Sequence, residues 1–187
     1  MQQYFVDTPL HVGEDNIFTK EQAHHAKTVV RLDHEKVRLV YQGQAYFAEA
    51  YTKDKEFIAH VYEKDDNIHE SLCDVTLAVA LIRREKFELV LQKATELGVK
   101  RIVPFESSRC VVRSKKEKAD KLKTRWNAIV QEASEQCKRN CIPEVTDIVP
   151  FKQLNQYLSQ ANYACYENSY GKASFLSECA KDKQSIT

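Results

Sequence analysis

The chain has 187 residues, 43% of them hydrophobic and 29% charged, which fits a folded water-soluble protein and excludes a disordered or membrane-embedded one. No apolar run approaches the roughly 20 residues needed to span a bilayer, and the start, MQQYFVDTPL, lacks the basic n-region and apolar core of a secretory signal. Net charge is +1 but unevenly spread: residues 1–72 carry 8 basic against 13 acidic side chains, residues 73–187 carry 20 against 14.

Taken in order, residues 1–70 predict a small β-rich domain. Gln3–Val6 is a short strand. Thr19-Lys20-Glu21-Gln22 has the form of a capping box and opens a short helix running past His24, His25 and Val29. Adjacent histidines on a helix do not share a face, so these two cannot chelate one ion together. Arg31, just after this helix, is either a salt-bridge partner or a phosphate contact. Three runs rich in Val, Tyr, Phe and Ile follow, Lys36–Tyr41, Gln44–Tyr51 and Glu56–Glu63, joined by segments of hairpin length. Alternation at Val37, Leu39 and Tyr41 and at Phe57, Ala59 and Val61 predicts one buried face, and a meander of this size closes most easily as a small barrel.

The polar stretch KDDNIHES (64–71) is the linker candidate, and a second domain is expected over 73–187. It opens with an apolar strand, Val75–Leu81. Phe87, Val90, Leu91, Ala94 and Leu97 then fall on one helical face, and Gly98 stands where a left-handed residue ends a helix. A second strand, Arg101–Phe105, completes a βαβ unit. Ligands of parallel sheets usually sit beyond the carboxyl ends of the strands, which singles out Arg109 in the loop that follows. Arg113–Arg125 carries seven basic residues, compatible with nucleic-acid phosphates and equally with a solvated helix face. Ser114 caps a long helix predicted to about Lys138, with an apolar stripe of Ala119, Leu122, Trp126, Ile129, Val130, Ala133 and Cys137. Glu132, Gln136 and Arg139 form a polar face at i, i+4 and i+7, either a binding surface or a local ion pair. A third strand at Val145–Val149, a short helix at Phe151–Leu158, a fourth strand at Ala161–Glu167 and a helical piece from Gly171 complete an open α/β sheet.

The six cysteines are scattered, without a C-x-x-C pair. Cys137 and Cys141 are spaced to hold one edge of a metal site, but no second pair lies near them, so no metal is expected. Four glycines cannot build a G-x-G-x-x-G or Walker A loop, and there is no G-x-S-x-G elbow.

The blocks QQYFV, HHAKTVVRL, LQKATELGV, PFESSRCVVR, RWNAIVQEASEQCKR and IPEV, in this order and spacing, resemble the ribosomal RNA small subunit methyltransferase E family over essentially the whole chain. The resemblance implies an N-terminal PUA-like barrel that helps hold RNA. It also implies an α/β domain of the SPOUT class, whose knot binds S-adenosylmethionine, in a cytoplasmic homodimer that methylates N3 of a uridine in 16S rRNA of the 30S subunit. Arg109 matches the family's arginine in its P-F-E-S-S-R block; Glu132, Gln136 and Arg139 match its E-A-S-E-Q-C-K-R block. With Arg31, Arg113 and Arg125 these are the expected RNA-binding or cleft-lining residues, and no general base stands out. The family's Gly-rich knot stretches are expected beyond Thr187, so the isolated chain is expected not to bind the methyl donor. The alternative is a noncatalytic RNA-binding or ribosome-associated protein.

Overall fold

The computed structural model describes residues 1–110, 116–165 and 181–187. They form two compact units, Met1–Glu70 with Ser134–Cys141, and Ser71–Ala133 with Ile142–Thr187.

The first unit is built on a five-stranded sheet with β1 (Gln2–Phe5), β2 (Asp15–Ile17), β3 (Glu35–Tyr41), β4 (Gln44–Lys53) and β5 (Glu56–Asp65), in the order β1-β3-β4-β5-β2. β3, β4 and β5 form the expected meander, β2 is an additional antiparallel strand on β5, and β1 joins β3 in parallel. The anticipated closure into a barrel is not found: β1 and β2 are the two edges, and no ladder joins them among the described residues. The β1 edge is partly satisfied by side chains, as the Gln22 amide donates to the Phe5 carbonyl at 2.8 Å. Val37, Leu39, Phe57, Ala59 and Val61 are buried in one core with Tyr4, Leu10 and Phe18, and Tyr41 partly so, but the intervening Arg38, Val40 and Ile58 are buried as well, so burial here does not follow the single face that alternation predicts. Both hairpins turn on two residues of positive φ, Gln42-Gly43 and Asp54-Lys55, the pattern whose twist matches the flanking strands.

The Thr19 capping box is present: the Gln22 N–H donates to the Thr19 hydroxyl and the Thr19 N–H to the Gln22 side chain, both at 3.2 Å. It opens α1 (Lys20–His24), whose backbone widens into π-type turns over His25–Val30.

A buried polar network ties residues 134–141 to this sheet. Arg38, 1% exposed, donates from Nε to Asp65 (2.7 Å), from Nη1 to Gln3 Oε1 (2.6 Å) and the Lys138 carbonyl (3.1 Å), and from Nη2 to Asn140 Oδ1 (2.9 Å). Burial alone would raise the Asp65 pKa. The Arg38 guanidinium and two N–H groups of Asn67 outweigh it and hold the carboxyl below its usual range.

The second unit is a parallel sheet of β6 (Asp74–Ala80), β7 (Arg101–Glu106), β8 (Glu144–Val145), β9 (Val149–Pro150) and β10 (Ser185–Ile186), ordered β10-β6-β7-β8 with β9 also on β7. α2 (Arg84–Glu96) links β6 to β7 and ends in a Schellman motif at Gly98 (φ +89°), with the Val99 N–H on the Ala94 carbonyl and the Gly98 N–H on that of Thr95, both at 3.0 Å. Phe87, Leu91 and Ala94 enter the core, whereas Leu97, at the cap, is 82% exposed. α3 (Lys116–Gln136) buries Trp126 and Val130 in the same core, with the Trp126 and Phe87 rings 4.7 Å apart.

The single strand expected at Val145–Val149 is split. Thr146 donates to the Ile102 carbonyl, and the next rung of a parallel ladder would be an N–H of residue 104 on the Thr146 carbonyl. Residue 104 is proline and has no N–H, so the ladder breaks. It resumes at Phe105↔Val149 with one extra residue on the outer strand. The short helix is a 3₁₀ helix, Phe151–Tyr157. The fourth strand reduces, among the described residues, to one bridge, Ala161↔Ile186. The Ser114 cap and the helix from Gly171 lie outside the described residues.

Candidate functional site at the carboxyl edge of the parallel sheet

β6 and β7 run out side by side, with the Leu81 N–H still on the Phe105 carbonyl at 2.9 Å, and the chain beyond them carries the candidate site. After β7 the chain makes a tight turn. The Cys110 N–H returns to the Ser107 carbonyl (3.2 Å) and the Arg109 N–H to the Ser107 hydroxyl (3.3 Å). Cys110 Sγ accepts from the Ser107 N–H at 3.3 Å, and the Ser107 hydroxyl and N–H together hold the thiol below its ordinary pKa. This turn presents Arg109 outward, exposed and without an ion-pair partner among the described residues.

Next to it, the displaced Thr146–Ile148 segment and α3 enclose a cavity of about 370 Å³ lined by Glu106, Asp120, Lys123, Trp126 and Asp147 among others. Lys123 Nζ and Asp147 are paired at 2.6 Å across its mouth residues. After β6, an open groove of about 470 Å³ is lined by Arg83, Arg84, Glu85, Glu88 and Arg125. Glu88 receives Arg125 in bidentate fashion, Nε at 2.5 Å and Nη2 at 2.9 Å, and Arg84 Nε at 2.9 Å. Led by the Arg125 bonds, these cations lower the Glu88 pKa to about 2.

The expected site residues are spread over both units. In the second, Arg109 is at the sheet edge, Arg125 in the groove and Glu132 exposed on α3; Arg113 lies outside the described residues. In the first, Arg31 is exposed in a left-handed conformation (φ 62°) ending the π-type turns, and Gln136 is exposed. Arg139 does not extend the Glu132–Gln136 face, because α3 ends at Gln136 and Lys138 is left-handed (φ 64°). The chain therefore turns before Arg139. Its side chain, 4% exposed, pairs with Glu70 at 2.5 Å, while the Asn140 and Cys141 N–H groups donate to the same carboxylate. Arg139 holds the first unit together and is not poised as an open phosphate contact. The turn also removes the helical spacing of Cys137 and Cys141, and no cluster of three metal-ligating side chains occurs among the described residues. His24 and His25 engage different partners, Thr28 and Tyr4. The Tyr4 phenol beside His25 is pushed up to about 12, first by burial and then by the charge of Glu135. Arg83, Arg84 and Glu88 were not anticipated, although the edge rule that singles out Arg109 applies equally to the Arg83-Arg84 pair after β6. No described helix is long and apolar enough to cross a membrane.

Comparison with known proteins places this edge in context. The family model for the RNA methyltransferase domain matches residues 69–187. The ribosomal RNA small subunit methyltransferase E of Bacillus subtilis is 33% identical over 179 residues, covering 90% of this chain and 69% of that protein. The protein of the same name from Mesomycoplasma hyopneumoniae is 31% identical over 156 residues, covering 82% and 65%. The chain thus spans about two thirds of the length of these relatives. Among solved structures, the Neisseria gonorrhoeae ribosomal RNA small subunit methyltransferase E bound to S-adenosyl methionine superposes with a TM-score of 0.78 at 25% identity, covering 100% of this chain and 78% of that one. The matched RNA methyltransferase domain and the whole-chain likeness agree, and the chain belongs to the ribosomal RNA small subunit methyltransferase E family.

Proposed function

We propose that this chain is the greater part of an S-adenosylmethionine-dependent methyltransferase that modifies uridine N3 in 16S rRNA of the 30S subunit. The observation that carries the reading is the 33% identity to a ribosomal RNA small subunit methyltransferase E over 179 residues, 90% of this chain. We read the N-terminal sheet as the PUA-like module that helps hold RNA, the second unit as the SPOUT-class catalytic domain, and the assembly as a cytoplasmic homodimer.

The described residues suit the RNA better than the methyl donor. An adenosyl group needs a close backbone cradle, and none of the described positive-φ glycines, Gly13, Gly43 and Gly98, stands at the carboxyl edge of β6 and β7. On the RNA side the demands are definite. N3 must give up its proton to a base or have its anion stabilised, and the base must be held in line for transfer, where orientation is worth up to ~7–11 kcal/mol. Arg109 suits the holding role: it is exposed, carried on the hydrogen-bonded Ser107–Cys110 turn, and able to grip a phosphate with two parallel N–H bonds.

The test is transfer of labelled methyl from S-adenosylmethionine to 30S subunits by the protein expressed from its whole reading frame. Incorporation into 16S rRNA supports the reading. RNA binding without incorporation would replace it with a noncatalytic, ribosome-associated role.

A further inference from the structure

We propose that the groove of Arg83, Arg84 and Arg125 is a clamp for the phosphate backbone of the RNA, with Glu88 as the positioning residue that holds two of its guanidinium groups. The proposal rests on the RNA methyltransferase reading and extends the RNA-facing surface beyond Arg109.

The three arginines come from separate parts of the chain: Arg83 ends the segment leaving β6, Arg84 begins α2 and Arg125 lies in the middle of α3. They line one open space. A surface ion pair needs one cation per carboxylate, yet Glu88 gathers two, and its depressed pKa keeps it ionised throughout the neutral range. The bonds it accepts are also informative. A guanidinium has five N–H donors. Arg84 gives Glu88 only Nε, and Arg125 gives Nε and Nη2. Both Nη groups of Arg84, Nη1 of Arg125 and the entire Arg83 guanidinium have no hydrogen-bond partner among the described residues. Glu88 thus orients two forks while leaving donors open on each.

The Arg84 and Arg125 side chains remain 62% and 49% exposed, so the open donors are accessible to a ligand. Three cations face two carboxylates, Glu85 and Glu88, and the surplus is positive. Phosphodiester oxygens match such forks in geometry and charge. The groove opens where β6 ends, and the Leu81–Phe105 hydrogen bond keeps that end beside the end of β7, from which Arg109 emerges. A strand of RNA crossing this edge would meet arginines from both loops.

The experiment is binding of a short, labelled single-stranded RNA to the chain across a potassium chloride series. Folding of each variant is checked by circular dichroism. Arg83→Gln with Arg84→Gln is expected to weaken binding on the order of tenfold and to make the slope of log K against log salt less negative by about 1.4, at ~0.7 per lost contact to single strands. Glu88→Gln separates positioning from bulk charge. Removing a carboxylate makes the protein more positive, so non-specific attraction predicts tighter binding, whereas a clamp that has lost its anchor binds more weakly. Lys100→Gln, a charge lost just before β7 at the opposite, amino edge of the parallel sheet, should leave the slope unchanged. An unchanged slope in the double variant, or tighter binding by Glu88→Gln, overturns the clamp. The two readings fail separately: methyl transfer by wild type with an unaffected double variant removes the clamp alone, and weakened RNA binding in the double variant with no methyl transfer by wild type removes the enzyme reading alone.

Discussion

Arg38 shows what a single buried charge does in this protein. Its guanidinium is almost fully enclosed, and its four hydrogen-bond partners among the described residues, Gln3, Asp65, Lys138 and Asn140, all belong to the first unit. Removing one member of such a pair leaves the other charged and desolvated. Arg38→Ala should therefore cost about 3–5 kcal/mol in urea unfolding. Replacing both Arg38 and Asp65 by apolar residues of similar size should recover much of that loss; a double variant as unstable as the single one would contradict this account. Glu88, 18% exposed, is the contrasting partly buried case. Its folded pKa of about 2 lies below the ordinary carboxylate value near 4.3, so its contribution is present above that value and disappears as pH falls towards 2. Asp65 acts in the same direction. An acid titration of stability should show a shallower loss below about pH 4.3 in Glu88→Gln than in wild type, and identical acid limbs would contradict the assignment.

At the scale of elements, the β4–β5 hairpin depends on two residues held in unfavourable backbone conformations. Asp54 and Lys55 both have positive φ in the β4–β5 hairpin, a geometry that glycine adopts without a Cβ clash. Lys55→Gly is expected to raise stability by roughly 0.5–1 kcal/mol, read as a higher urea midpoint at unchanged m-value. Most elements were legible from periodicity, best where the pattern and the burial coincide, as at Phe87, Leu91 and Ala94 on α2. The failures have local causes. The Val145–Val149 run looks continuous because apolar pattern does not register a missing N–H in the partner strand, yet Pro104 breaks that ladder. The end of α3 was placed late because Lys138 takes the left-handed role that a glycine would advertise. The Glu132–Gln136–Arg139 face failed with it, since the i+7 spacing presumes a helix that has already ended. Arg109 could be singled out because it follows a recognisable strand; Arg84 and Glu88 stand at the helical i, i+4 spacing, but only the folded structure brings Arg125 to them.

For the whole molecule, the proposed RNA-facing surface is the carboxyl edge of the parallel sheet, where Arg109 is exposed. Its side chain has no hydrogen-bond or ion-pair partner among the described residues, so Arg109→Ala should change stability by no more than about 0.5 kcal/mol. The same substitution should lower methyl transfer on the order of tenfold or more and reduce the salt slope of RNA binding by about one unit. A lowered melting temperature with an unchanged slope would instead give Arg109 a structural role. The most direct test of the central claim uses the protein from its whole reading frame, 30S subunits and S-adenosylmethionine, with the 16S rRNA digested and its nucleosides identified by mass spectrometry. The account predicts N3-methyluridine that depends on both protein and donor. Methyl groups on another atom or another RNA, or none at all, would contradict it.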